Sequence, residues 1–162
     1  YNLNIIGLRT KGSDSNKFDD RICVVYKDDH GWVTRTWEAT CDPGLYYREK
    51  PMNVAGTAIM CEGQYRGVYK IGKHRGKYDA LVQTGGRVTV WRDSNRDEKL
   101  DHEDSADGYF GINIHKAGTA STNVDRWSAG CQVFANESDF NEFMSICKKQ
   151  QWPTFSYTLI EV

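Results

Sequence analysis

Two side chains in the run from Gly111 to Phe134 have types and spacing suited to joint chemistry. His115 ends the alternating segment Gly111-Ile112-Asn113-Ile114-His115. Cys131 closes Ser128-Ala129-Gly130-Cys131, just before Gln132-Val133-Phe134. A cysteine acts as a nucleophile through its thiolate, and a nearby imidazole can take the thiol proton and hold the resulting charge. The pattern places both residues at strand ends, joined by a polar, turn-rich connection. A sheet fixes side chains at such positions while the loops leave room for a substrate. Gly130 allows close approach of a ligand to the backbone, so amides near Cys131 are expected to face a developing oxyanion. Taken singly, a cysteine on a strand or a histidine at its end is an ordinary core residue. The ordered set His115, Ser128, Gly130 and Cys131 reads instead as a catalytic pair with its supports.

That set resembles the signature of the L,D-transpeptidase (YkuD-like) catalytic domain: a histidine after a hydrophobic strand, then Ser-x-Gly-Cys about sixteen residues later. Upstream, Thr40-Cys41-Asp42-Pro43-Gly44 resembles a degenerate form of the family's Thr-Pro-x-Gly turn. The resemblance implies a cysteine enzyme acting on bacterial peptidoglycan stem peptides. In that family the thiolate attacks a peptide carbonyl beside a D-configured centre, and an amine or water resolves the thioester. It further implies that Cys131 is the nucleophile and His115 the base. Ser128 would support the histidine or the cysteine loop, and Gly130 would shape the oxyanion site. Ser128, Asp125 or a backbone carbonyl is expected to orient His115. Many members carry arginine or asparagine after the cysteine, near the substrate carboxylate; Gln132 and Val133 stand there in this chain. Gln132, with His74 and Arg75 from the basic loop 72–77, forms the expected substrate-binding set. Arg66 or Arg75 would take the carboxylate in place of Gln132. Both transpeptidation and hydrolysis, the latter in wall degradation or lysis, are open. The alternative from another class is a catalytically inactive, calcium-stabilised module that binds the cell wall, with Trp32, Trp37, Trp91, Trp127 and Trp152 available for stacking on sugars.

A second constellation lies at Asp93–Asp104, DSNRDEKLDHED. Oxygen donors recur at Asp93, Asn95, Asp97, Asp101 and Asp104, with the Lys99 carbonyl between them. That spacing lets one tight loop wrap a hard cation, as calcium loops do. Glu98 replaces the usual turn glycine and Asp104 the usual final glutamate. A structural calcium ion is therefore expected here, and no cofactor is expected for catalysis.

The elements that must position these residues read as mainly β. Expected strands cover 1–8, 21–27, 32–39, 56–61, 65–71, 78–83, 87–92 and 155–162, besides those ending at His115 and following Cys131. Asp28-Asp29-His30-Gly31 marks a hairpin turn. Leu45–Asn53 is irregular, with room for a short helix. The clear helix is 137–150, where Phe140, Phe143, Met144 and Cys147 recur at helical spacing, with acidic residues in its first turn. The fold expected is a single domain over 1–162, an L,D-transpeptidase-like β-sandwich or mixed sheet with one C-terminal amphipathic helix. The 21 basic and 22 acidic residues leave a net charge of −1, which argues against a general electrostatic nucleic-acid binder. No apolar run reaches membrane-spanning length. The chain opens at Tyr1 without a visible signal peptide and reads as a processed or excised piece. Setting Cys131 aside, Cys23, Cys41, Cys61 and Cys147 would form two disulfides in an exported protein or stay reduced in a phage lysis enzyme made inside its host. A monomer acting on the bacterial cell wall is expected.

Overall fold

The computed structural model describes residues 2–12, 16–96, 100, 102 and 104–162. Strands β1 (Asn4–Arg9), β2 (Asp20–Asp28) and β3 (Gly31–Thr40) lead to the short helix α1 (Leu45–Glu49). Strands β4 (Thr57–Met60), β5 (Gly63–His74), β6 (Tyr78–Val82), β7 (Val88–Asp93) and β8 (Ala106–Gly108) follow. Then come β9 (Ile114–Lys116), β10 (Gln132–Phe134), helix α2 (Glu137–Cys147) and β11 (Phe155–Glu161). The mainly β expectation holds.

Eight strands form one mixed sheet that closes on itself in the order β1-β11-β5-β6-β9-β10-β3-β2. Its neighbours run antiparallel except at β1–β11 and β9–β10. Closure removes the exposed edges that an open sheet would leave for aggregation. Strands β4, β7 and β8 form a separate antiparallel sheet. Its Ala58, Met60, Val88 and Val90 enter the same core as the inward residues of the barrel. The Asp28–Gly31 hairpin closes as its residues suggest: the Asp28 carboxylate accepts the His30 N–H (2.8 Å) and Gly31 takes φ +125°.

Helix α2 packs against β9 and β10. Its apolar face buries Phe140, Phe143, Met144 and Cys147 as expected, but the helix ends at Cys147, three residues short of the expected boundary. Glu137 and Asp139 stand in its first turn, where the helix dipole favours negative charge. The rings of Trp37, Phe134, Phe140 and Phe143 meet at centroid distances of 4.9–6.4 Å. This aromatic cluster fixes β10 from inside through Phe134. Strand alternation then decides what β10 presents outside.

Candidate active site

Residues 132 and 134 of β10 face the main core. Val133 and Ala135 face a second, smaller cluster with Phe18, Ala117 and Val124, against which Cys131 also packs. The neighbouring β9 divides the same way, with Ile112 and Ile114 in the main core and Ala117 in the smaller cluster. The parallel register pairs Gln132 with Ile114 and Val133 with His115. Cys131 and His115 therefore share one face of adjacent strands, one diagonal step apart. The register puts the two expected residues on one sheet face, with the thiol hydrogen-bonded elsewhere.

His115 is buried, at 4 % exposure. Its Nδ1 lies 2.9 Å from the Lys116 carbonyl oxygen. A carbonyl only accepts, so Nδ1 carries the proton and Nε2 keeps the lone pair of a base. Of the three orienting partners the sequence allowed, the backbone carbonyl is the one found. The same carbonyl accepts the Tyr78 hydroxyl at 3.3 Å. The His74 ring stacks on His115 at 4.0 Å and 16°. His74 Nδ1 lies 3.1 Å from Asn113 Nδ2, which donates to it.

Cys131 is partly exposed and lines a cleft of about 420 Å³ with His74, Arg75, Arg92, Phe110, Asn113 and others. His115 lines a smaller adjoining recess of about 100 Å³; His74 and Arg75 border both. The Cys131 thiol donates to the Gly111 carbonyl at 3.5 Å rather than to the imidazole. Catalytic contacts are often loose before substrate arrives.

The Cys131 loop is held from several sides. The Ser128 hydroxyl donates to the Cys131 carbonyl (2.8 Å) and accepts the Gly130 N–H (3.1 Å). Ser128 thus supports the loop and not the histidine. Its carbonyl accepts the Gly44 N–H (2.9 Å), which seats the 40–44 turn against the loop. Gly130 has φ +123°, and a Cβ there would come within 2.6 Å of the Ala58 carbonyl oxygen. Both the backbone conformation and the lack of space require glycine.

Burial pushes the Cys131 thiol up to about 11, against an opposing hydrogen bond from the Asn113 backbone and the Arg75 charge. Burial also drives His115 down to about 3, and the His74 and Arg75 charges add to the fall. His74 is lowered too, by burial and then by Arg75 and Lys77. The pair is consequently neutral thiol and neutral imidazole at physiological pH, not thiolate and imidazolium.

Gln132 requires a correction. It is fully buried, so its amide cannot line the cleft. Its Oε1 accepts the Tyr157 hydroxyl (2.7 Å), and its Nε2 donates to the Gly130 carbonyl (3.4 Å). One step along a strand reverses the face, so the residue after an outward cysteine must point inward. Gly7 makes room for this link: a Cβ there would fall 1.8 Å from the Tyr157 hydroxyl oxygen. His74 and Arg75 do line the cleft, whereas Arg66 is not among its lining residues.

The acidic stretch lies only in part within the described residues. Asp93 is the last residue of β7 and is fully buried, its Oδ2 3.4 Å from Arg48 Nε. Its carboxylate is engaged in a buried ion pair. Asn95 and Asp104 lie at the surface, while Asp97, Lys99 and Asp101 fall outside the described residues. Among the described residues no group of three or more His, Cys, Asp or Glu side chains could hold a metal ion. The five cysteines are all free thiols, with Cys23, Cys41, Cys61 and Cys147 buried.

Three contributors were not apparent from the sequence. Asn113 sits two residues before His115 on the same strand face, and alternation alone could have found it. Gln83 is buried and holds the cleft wall: its Oε1 accepts the N–H groups of Phe110 and Ile112 (both 3.1 Å), and its Nε2 donates to Gly108 (2.9 Å) and Gly86 (3.1 Å). Arg92, the last residue but one of β7, lines the cleft. No helix among the described residues is long and apolar enough to cross a membrane. No family model, curated protein or solved structure matches this chain.

Proposed function

We propose that the protein is a cysteine-dependent acyl-transfer enzyme of the L,D-transpeptidase type, acting on bacterial peptidoglycan stem peptides through a thioester. The observation that carries this reading is the shared face of Cys131 and His115, with Nδ1 of the histidine fixed on the Lys116 carbonyl and Nε2 left as base. The open cleft beside Cys131 has room for an extended peptide segment.

Because both groups rest neutral, proton transfer accompanies attack. The thiol turns from the Gly111 carbonyl toward His115, Nε2 takes its proton, and Sγ adds to the substrate carbonyl. The Cys131 backbone amide stabilises the oxyanion, since the Gly130 N–H is taken by the Ser128 hydroxyl, on a loop that Ser128 and Gln132 hold in place. Collapse breaks the C–N bond, and His115 returns the proton to the leaving amine. An incoming amine or water then gives its proton to Nε2, attacks the thioester and expels the Cys131 thiolate, which recovers the proton. The amine yields a crosslink and water yields hydrolysis. A monomer working at the cell wall fits this chemistry.

The test is intact-protein mass spectrometry after incubation with a carbapenem, alongside digestion of purified peptidoglycan, for wild type and Cys131→Ala. An acyl adduct and altered muropeptides, both lost in the variant, are expected. An intact protein that binds peptidoglycan with neither adduct nor turnover would overturn the proposal in favour of a binding module.

A further inference from the structure

The cleft beside Cys131 is charged in one direction. Among the described residues lining it are two guanidinium groups, Arg75 and Arg92, and no carboxylate. The contrast with the buried arginines is informative. Arg9 meets Asp42 at 2.9 Å and Glu62 at 2.6 Å, and Arg48 meets Asp93 at 3.4 Å. Neither Arg75 nor Arg92 has an ion pair among the described residues.

Arg92 is held by its neighbours, and Arg75 is placed by its backbone. Arg92 lies across from Ala58 in the β4–β7 register, two residues beyond the buried Val90. Ala58 is the residue whose carbonyl crowds Gly130, so Arg92 is one strand away from the Cys131 loop. Its guanidinium donates to the Gly56 carbonyl (3.2 Å) and lies 5.1 Å from the centre of the Phe110 ring. Burial lowers its pKa, and no anion among the described residues acts the other way. Arg75 also lines the cleft. It opens the three-residue connection between β5 and β6, in which Arg75 (φ 49°) and Gly76 (φ 70°) are both left-handed and the Lys77 N–H donates to the His74 carbonyl (3.0 Å). Asparagine or glycine is the usual first residue of such a turn, and arginine there is strained. Strain kept at a cleft rim suits a residue retained for what it binds.

We propose that Arg92 and Arg75 form a subsite for the carboxylate of an acidic acyl donor, next to the Cys131 thiol. Planar guanidinium groups match a carboxylate in shape and charge, and a partly desolvated cleft strengthens the attraction. The proposal deepens the acyl-transfer reading and rests on Cys131 as the reacting group. The subsite itself can be tested apart from turnover.

The experiment compares alkylation of Cys131 by iodoacetate, an anion, with iodoacetamide, its neutral analogue. Their rate ratio is referred to that of 2-mercaptoethanol in the same buffer. A focusing cleft should raise the ratio on the order of ten-fold at low salt, and the gain should shrink as salt is added. Arg92→Gln and Arg75→Gln should each remove much of the gain, while Arg92→Lys should keep part of it; thermal melts confirm that each variant is folded. A second measurement needs no thiol. In Cys131→Ala, glutarate should shift the NMR signals of Arg75, Arg92 and their neighbours, and glutaramide should not. A ratio equal to that of 2-mercaptoethanol, or one that falls with Arg75→Gln alone, would overturn the subsite. So would equal responses to glutarate and glutaramide. Failure of peptidoglycan turnover with an intact iodoacetate preference would instead count against the acyl-transfer reading alone.

Discussion

Cys41 and Cys131 lie at adjoining ends of two paired strands. Cys41 follows β3 and Cys131 precedes β10, in a register that matches Thr40 with Val133. Burial pushes both thiols upward, Cys131 to about 11 and Cys41 well above its ordinary value. They differ in what surrounds them. The Cys41 sulfur points into the barrel, 3.8 Å from the Tyr157 hydroxyl, and the Asp20 and Asp42 charges raise its pKa further against Arg9. Cys131 faces the cleft, and the charge acting on it is that of Arg75. A raised thiol pKa therefore separates neither from the other. Access, the sign of the neighbouring charge and a base on the same sheet face do.

The sharpest break between the two would come from turnover. Cys131→Ala should lower peptidoglycan turnover by about 10³-fold or more, as loss of a covalent nucleophile does. Cys41→Ala should leave it within a few-fold and lower stability instead. The reverse result would move the reactive centre inside the barrel.

Stability should respond the other way round. Asp42→Ala removes one of the two carboxylates that meet the buried Arg9, leaving Glu62, and chemical denaturation should show a loss of about 1–3 kcal/mol. Arg75→Gln, at an exposed turn, should change stability by less than about 0.5 kcal/mol. A comparable loss in Arg75→Gln would mean that the cleft charge is structural.

Reactivity against pH sharpens the contrast further. With the thiol near 11 and His115 near 3, no thiolate–imidazolium pair forms at neutral pH. Alkylation of Cys131 by iodoacetamide should then rise about ten-fold per pH unit from 7 to 10, while Cys41 stays unmodified in the native protein. A plateau near pH 7 would show that the pair is already ionised.

Two smaller effects remain. Burial, then the Asp42 charge, raises Asp20 from 3.8 to about 7. Its native form holds a proton that the unfolded chain has lost, so stability should fall as pH rises from about 4 to about 7, the opposite of the usual carboxylate behaviour. Denaturant midpoints across that window check the sign. Calcium at the 93–104 stretch should raise Tm slightly and a chelator lower it; no change with either would leave the stretch merely solvated.

Much of this was legible from residue types. Alternation and β-branched content marked most strands, and the spacing of Phe140, Phe143, Met144 and Cys147 marked α2. Cys131 stands just before β10 as expected, while His115 falls inside β9 and not at its end. Other features depended on partners distant in the chain. Barrel closure comes from β1 meeting β11, which no local pattern encodes. Asp93 looked like the first ligand of a loop because its ion-pair partner, Arg48, lies 45 residues earlier. The place of Arg92 beside the Cys131 loop depends on β4, which sets Ala58 opposite it. Gln132 was the avoidable error, since the alternation that turns Cys131 outward turns its neighbour inward.

The seam between β1 and β11 has a consequence in time. Ile5 lies beside Tyr157, and the two strands run parallel over five paired residues. Contacts so distant along a chain form late and slowly, and refolding in milliseconds to seconds is the natural expectation for such a topology. During synthesis the first strand must wait, paired on one side only with β2, until the last has left the ribosome. Tyr157, which holds Gln132 and through it the Gly130 carbonyl, arrives on that last strand. The loop carrying the reactive thiol thus gains its inner support only when the barrel closes, so a nascent or truncated chain would carry Cys131 without its finished setting.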